Sequence, residues 1–166
     1  MIVIVFGLPG SGKSYFANRL APMINAVHLS SDGIRNDLFP RKSYSAAEKL
    51  AVYDALFEQM QKLTGEHKHL VVDATFYKSA FRERFSKSQQ PIFIEIIANE
   101  TISRERLQHK RPGTDADLSI YKEIKEEWEP MKEQHLVLES TGSNISAMLE
   151  RAKAYIGAKE RKEADE

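Results

Sequence analysis

Residues 7–14 read GLPGSGKS and place Lys13 and Ser14 directly behind three glycines. A lysine ammonium neutralises phosphate oxygens, and a serine hydroxyl can ligate a magnesium ion. Gly7, Gly10 and Gly12 lack a Cβ, so a chain rich in them can turn tightly and bring successive amide N–H groups into one concavity. The residues after Ser14, YFANRLAPM, have apolar positions at helical spacing. A helix starting here would add its unpaired N–H groups and the positive end of its dipole. Together these groups suit the triphosphate of a nucleotide and its Mg2+.

The spacing Gly7–x4–Gly12–Lys13–Ser14 is that of a P-loop, and a P-loop needs a strand before it and a helix after it. MIVIVF supplies the strand pattern. The expected nucleotide-binding residues are therefore Gly7, Leu8, Pro9, Gly10, Ser11, Gly12, Lys13, Ser14 and Tyr15. Tyr15 stands where many P-loops carry a small hydroxyl residue, so only its backbone N–H is expected to contribute.

The elements that must hold this loop follow from the rest of the chain. It has 166 residues, enough for one domain with a real core, and is 42% apolar and 29% charged. The formal net charge is zero, which speaks against strong non-specific nucleic-acid binding. There is no cysteine, so disulfides and thiol catalysis are excluded. No apolar run reaches membrane-spanning length, and the N-terminus reads as a strand and not as a signal segment, so a cytoplasmic protein is expected. Strands are expected at 1–6, 26–30, 69–74, 91–98 and 135–140. Helices are expected near 13–23, 32–39, 45–64, 78–88, 99–110 and 117–131, with a last one from about Ser143. The long helix opens on a capping box, Ser45-x-x-Glu48. Nearly all-apolar strands alternating with helices predict an α/β fold of three layers, a parallel sheet covered on both faces. The domain is expected to span 1–157, with a charged, frayed tail at 158–166.

In such a sheet the ligand lies at the carboxyl ends of the strands. Asp32 and Arg35 follow the second strand and stand three apart, so both can face one cleft. Asp32 could accept the proton of a substrate hydroxyl, and Arg35 could hold an anionic group of the acceptor. The competing reading is that Ser31 or Asp32 caps a helix and Arg35 is solvated. Asp73 ends the third strand, where a magnesium-holding carboxylate is expected together with Ser14. Phe76 and Tyr77 then either wall an acceptor pocket or pack in the core. Arg104, Arg106, Lys110 and Arg111 precede the helix-breaking Pro112-Gly113 and read as a basic lid, with Arg111 the foremost candidate. Lys78, Arg82, Arg84 and Lys87 read as a solvated helix face. The five histidines show no metal-ligand spacing.

Among P-loop proteins a GTPase would carry Asn-Lys-x-Asp, an ABC ATPase its own serine-glycine signature, and a helicase or AAA motor a longer chain. Small kinases remain. GLPGSGKS, LSSDGIR, LVVDAT and an arginine lid resemble, over about residues 1–140, the 5′-polynucleotide-kinase branch of P-loop kinases. That resemblance implies a sheet of five parallel strands in order 2-3-1-4-5. It implies ATP and Mg2+ as cofactors, with Lys13 on the β- and γ-phosphates and Ser14 on the metal. It further implies Asp32 on the acceptor hydroxyl, Arg35 on the acceptor and Arg111 as the lid arginine. Phe76 stands where that branch often has Asn. The acceptor is either a 5′-hydroxyl nucleic-acid end or a small metabolite, since shikimate, gluconate and zeta-toxin-like kinases share these features. A nucleotide-binding switch without transferase activity is the third class.

Overall fold

A computed structural model describes residues 1–109 and 117–165. Among the described residues, five strands, β1 (Ile2–Phe6), β2 (Ala26–Ser30), β3 (His69–Ala74), β4 (Ile92–Ile97) and β5 (Leu136–Glu139), are interleaved with seven helices. These are α1 (Lys13–Met23), α2 (Ser31–Leu38), α3 (Ala46–Gly65), α4 (Ser79–Gln89), α5 (Glu100–Gln108), α6 (Leu118–Glu126) and α7 (Ile145–Ala164). All strand pairs are parallel, in the order β2-β3-β1-β4-β5. The central strand β1 is apolar and buried on both faces because both faces are covered. Ile2, Ile4 and Phe6 of β1 join a core with Val52, Leu56 and Met60 of α3, Phe85 of α4 and Ile124 of α6. Val3 and Val5 point the other way, against Phe16 and Leu20 of α1 and Met148, Ala152 and Ile156 of α7. Strand alternation thus assigns each position to one layer. Val71 packs on the α1 face, while Leu70 and Val72 pack opposite it.

Three features depart from the sequence reading by more than a residue or two. The helix expected to run to 131 stops at Glu126. Pro130 disfavours helical backbone at Glu129, and Glu129 is used elsewhere. Its carboxylate accepts from the backbone N–H and hydroxyl of Ser79, each at 2.7 Å, and so caps α4 from across the chain. The backbone N–H of Glu129 donates to the Tyr77 carbonyl at 2.8 Å. The capping box of α3 is half formed: Ser45 accepts from the Glu48 N–H at 3.2 Å, but the Glu48 carboxylate accepts from the N–H and hydroxyl of Ser43. Finally, α7 continues past 157 to Ala164, so residues 158–164 are helical where fraying was expected.

Arg82 is another correction. It is 4% exposed and lies inside the fold, not on a solvated face. It donates to the carbonyls of Phe76 at 2.6 Å and Glu129 at 2.7 Å, tying the segment after β3 to the segment after α6. Arg82→Leu removes the donor to one buried and one part-buried carbonyl. The expected cost is about 3 kcal/mol, or a melting point lowered by roughly 6–12 °C. A thermal melt within 2 °C of wild type would refute this.

Candidate active site

The phosphate loop runs from the end of β1 to the start of α1. Two of its glycines are required by geometry. A Cβ on Gly7 would lie 2.3 Å from the Ile96 carbonyl oxygen of β4. Gly12 has φ +93, a left-handed conformation that side chains resist. Gly12 is the N-cap of α1, and Lys13 is the first helical residue. The Lys13 ammonium turns back over the loop and donates to the Leu8 carbonyl at 3.4 Å. Burial lowers its pKa from the ordinary value, while Asp32 and Asp73 act in the other direction. Pro9, Gly10, Gly12, Lys13 and Ser14 line a cleft of about 380 Å³. Ser11 is buried in the loop. The Tyr15 side chain points away, 42% exposed, with the Arg19 guanidinium 3.3 Å over its ring.

Ser14 donates its hydroxyl proton to Oδ1 of Asp73 at 2.7 Å. The expected metal pair is therefore assembled, one hydroxyl and one carboxylate, both hard oxygen donors of the kind Mg2+ takes. Among the described residues no group of three or more His, Cys, Asp or Glu forms a metal cage. Mg2+ usually keeps several waters and shares its remaining positions with phosphate oxygens, so the residues present fit it. His28 of β2, which the sequence reading left unassigned, contacts Oδ2 of Asp73 through Nε2.

The second half of the cleft is built by α2, α3, the end of β3 and α6. Ser30, not Ser31 or Asp32, caps α2: its hydroxyl accepts from Gly33 N–H at 3.0 Å. Asp32 sits in the first turn and lines the cleft. Burial raises its pKa, Lys13 lowers it, and Asp73 raises it further. After burial, Lys13 and Asp32 are each other's strongest electrostatic influence. Arg35 is 8% exposed. Its Nε faces the Glu48 carboxylate at 3.1 Å, its Nη1 lies 3.6 Å from Asp32, and its guanidinium stacks 4.5 Å from the Tyr44 ring centre. Burial pushes the Glu48 pKa up, but the Ser43 hydrogen bonds and Arg35 outweigh it and leave it below the ordinary value.

The two aromatic candidates separate. Phe76 is fully buried with φ +44, packed on Tyr53 and Phe85. Tyr77 lines the cleft with Tyr44, Tyr53 and Thr75. The Tyr53 hydroxyl accepts from the Phe76 N–H at 2.8 Å and meets the Thr75 hydroxyl at 3.1 Å. Burial pushes the Tyr53 and Tyr77 phenols up to about 12, so both stay protonated.

The arginines expected to form a basic lid separate as well. Arg104 pairs with Glu100 at 2.7 Å on the surface. Arg106 reaches the phosphate loop: Nη1 donates to the carbonyls of Ser11 at 2.9 Å and Gly10 at 3.3 Å, and Nη2 donates to the Ser140 hydroxyl at 2.9 Å. Lys110, Arg111, Pro112 and Gly113 lie outside the described residues. Arg106→Ala would remove charge-assisted bonds to the loop backbone, each worth about 1.5–3 kcal/mol. Nucleotide affinity should fall about tenfold or more by calorimetric titration. Wild-type affinity in a folded variant would remove Arg106 from the loop's support.

No curated protein matches the chain. Solved structures do. A sugar kinase from Janibacter sp. HTCC2649 superposes with a TM-score of 0.73 at 16% identity, covering 94% of each chain. A gluconokinase from Sinorhizobium meliloti 1021 gives 0.69 at 17% identity over 95% of each. The APS kinase of Mycobacterium tuberculosis, in complex with AMPPNP and APS, gives 0.67 at 18% identity, over 94% of this chain and 96% of that one. At these identities the likeness is one of fold, the P-loop architecture that the strand order already gives. The model of an AAA domain (AAA_33) matches residues 2–131, from β1 to beyond the end of α6. The chain belongs to this AAA domain family.

Proposed function

We propose that the protein transfers the γ-phosphoryl group of ATP, bound with Mg2+, to a hydroxyl of an acceptor seated beside Asp32. The observation that carries this reading is the sharing of one cleft by Lys13 and Asp32, each the other's strongest charge influence. Lys13 and the loop amides hold the β- and γ-phosphates. Mg2+, when bound, neutralises phosphate charge, with Ser14 and Asp73 as its protein-side oxygens. Asp32 accepts a hydrogen bond from the acceptor hydroxyl and aims its oxygen. Phosphoryl transfer has a loose transition state, so this alignment matters more than strong basicity. Arg35, already fixed by Glu48 and Tyr44, contacts the acceptor. Arg111 is proposed as the lid arginine that adds charge in the transition state.

Two acceptor classes follow. Resemblance to 5′-polynucleotide kinases supports a nucleic-acid 5′-hydroxyl. The limited cleft, walled by Tyr44, Tyr53, Tyr77, Ile120 and Ile124, favours a small alcohol, as do the sugar kinase and gluconokinase among the similar folds. A transfer screen with labelled ATP across sugars, sugar acids, nucleosides and 5′-hydroxyl oligonucleotides separates them. ATP binding with no transfer to any acceptor would favour a nucleotide-dependent switch.

Asp32→Asn tests the central role. Ser30 supplies the α2 cap, so the variant keeps its helix start. Asp32 has a raised folded pKa, so its burial penalty is absent below the ordinary value of 3.8 and grows as pH rises through the folded value. The variant should therefore melt no lower than wild type at pH 7, with any gain vanishing below about pH 4. Transfer should fall about 10²-fold or more, with ATP affinity nearly unchanged. In the wild type the acid limb of the rate should lie above the ordinary aspartate range. Near-normal transfer by Asp32→Asn would remove Asp32 from the mechanism.

A further inference from the structure

Asp73 is 1% exposed, and both its carboxylate oxygens are engaged by protein. Ser14 of α1 donates to Oδ1, and His28 of β2 meets Oδ2. The sheet brings this about. β2 and β3 pair with His28 opposite Val71 and Ser30 opposite Asp73. Val71 packs on the α1 layer, so Asp73, two residues on, projects to the same side. Val27 and Leu29 belong to the opposite core, so His28 also projects to the α1 side. The histidine thus stands diagonally one step behind the carboxylate and reaches forward to it.

We infer that His28 is a positioning residue for the metal half of the phosphate site, acting through Asp73. The chemistry is that of a hydroxyl with one proton. When Ser14 gives that proton to Oδ1 of Asp73, only its lone pairs remain for the cleft, and it is oriented as a metal ligand. This holds while Oδ1 stays in the Ser14 direction. A carboxylate pinned through one oxygen can swing about its terminal torsion, which is broad and roughly two-fold. A second contact at Oδ2 fixes the plane. Partners of this kind, behind a ligand rather than on the metal, typically alter metal affinity or activity 10–100-fold when removed. The role does not depend on the charge of the imidazole, since a neutral N–H at Nε2 suffices.

The inference rests on the nucleotide site proposed above, and its test keeps the two apart. ATP affinity is measured by titration calorimetry with excess EDTA and then across a range of Mg2+ concentrations, for wild type, His28→Leu and His28→Gln. Gln carries an amide N–H at about the reach of Nε2, whereas Leu carries none. The Mg2+ concentration at half-maximal tightening of ATP binding should rise about tenfold in His28→Leu and stay within about threefold of wild type in His28→Gln. Metal-free ATP affinity should be equal in all three, because Lys13 and the loop amides carry it. His28→Asn, polar but too short to reach Asp73, should behave as His28→Leu and serves in its place if the leucine variant does not fold. An unchanged Mg2+ midpoint in the leucine or asparagine variant overturns the role of His28. So does a glutamine variant as impaired as leucine. A wild-type protein that binds no ATP overturns the nucleotide reading, and the role of His28 with it.

Discussion

A carboxylate that is almost fully buried must be met by donors on each of its oxygens, or the fold bears its desolvation. Asp73 imposes this requirement at the carboxyl edge of the sheet, and two elements answer it. The hydroxyl from the first turn of α1 and the imidazole from β2 fix where α1 begins relative to the sheet. That in turn fixes the phosphate loop, because Gly12, in left-handed backbone, joins the loop to the helix directly before Lys13. The close approach of Gly7 to the β4 backbone closes the other end of the loop. The anion-binding concavity is therefore held at both ends by contacts outside itself, and its amides are oriented before any ligand arrives. Such preorganisation is where electrostatic catalysis gains most.

The other half of the cleft is held by different means. Arg35 and Lys49 are buried, and each faces an acid, Glu48 and Glu123 respectively. Buried ion pairs add little net stability, since desolvation offsets the attraction. What they do here is hold cations at defined places in a wall of tyrosines. A chain of hydrogen bonds extends this from Thr75 to Tyr53, to Phe76, to Arg82 and to Glu129. Phe76 keeps a positive φ that costs a non-glycine residue about 1–3 kcal/mol, and its N–H and carbonyl are both tied within this chain. Strain at Phe76 turns its ring into the core and leaves Thr75 and Tyr77, on either side, facing the cleft.

Much of this was legible in the residues. The apolar runs located all five strands to within a residue or so, because strands covered on both faces are rich in apolar residues and carry few polar ones. GLPGSGKS located the turn between β1 and α1, and Asp73, expected beside Ser14, lies within a hydrogen bond of it. The strand order came from resemblance, not from periodicity. What the chain hid were partnerships across layers. Nothing local in KSAFRERF marks Arg82 as interior, because its partners are carbonyls some residues away along the chain. Glu48 reads as half of a capping box, yet its carboxylate is spent on Ser43 and Arg35. Other signals were present and went unread. Pro130 marks the segment at which α6 could not continue. The two-residue spacing of His28 and Ser30 already placed His28 on the face of the helix that carries Ser14, given the register of β2 on β3.

The two arginines of α5 show how spacing decides between solvation and use. Arg104 and Arg106 are two apart on α5, and residues so spaced do not share a helix face. One face is outside, where Arg104 finds Glu100; the other lies on the phosphate loop. A loop that turns its amide N–H groups inward toward an anion must turn carbonyls outward, and those carbonyls are the negative ends of the same dipoles. Left bare, they would weaken the positive potential within. Arg106 covers the carbonyls of Gly10 and Ser11 with a fixed positive charge. It can approach because Gly12 has no side chain: a Cβ there would lie 2.9 Å from Nη1 of Arg106. The glycine thus serves twice, once for a backbone angle that other residues resist, and once for the room through which a cation reaches the carbonyls of the loop.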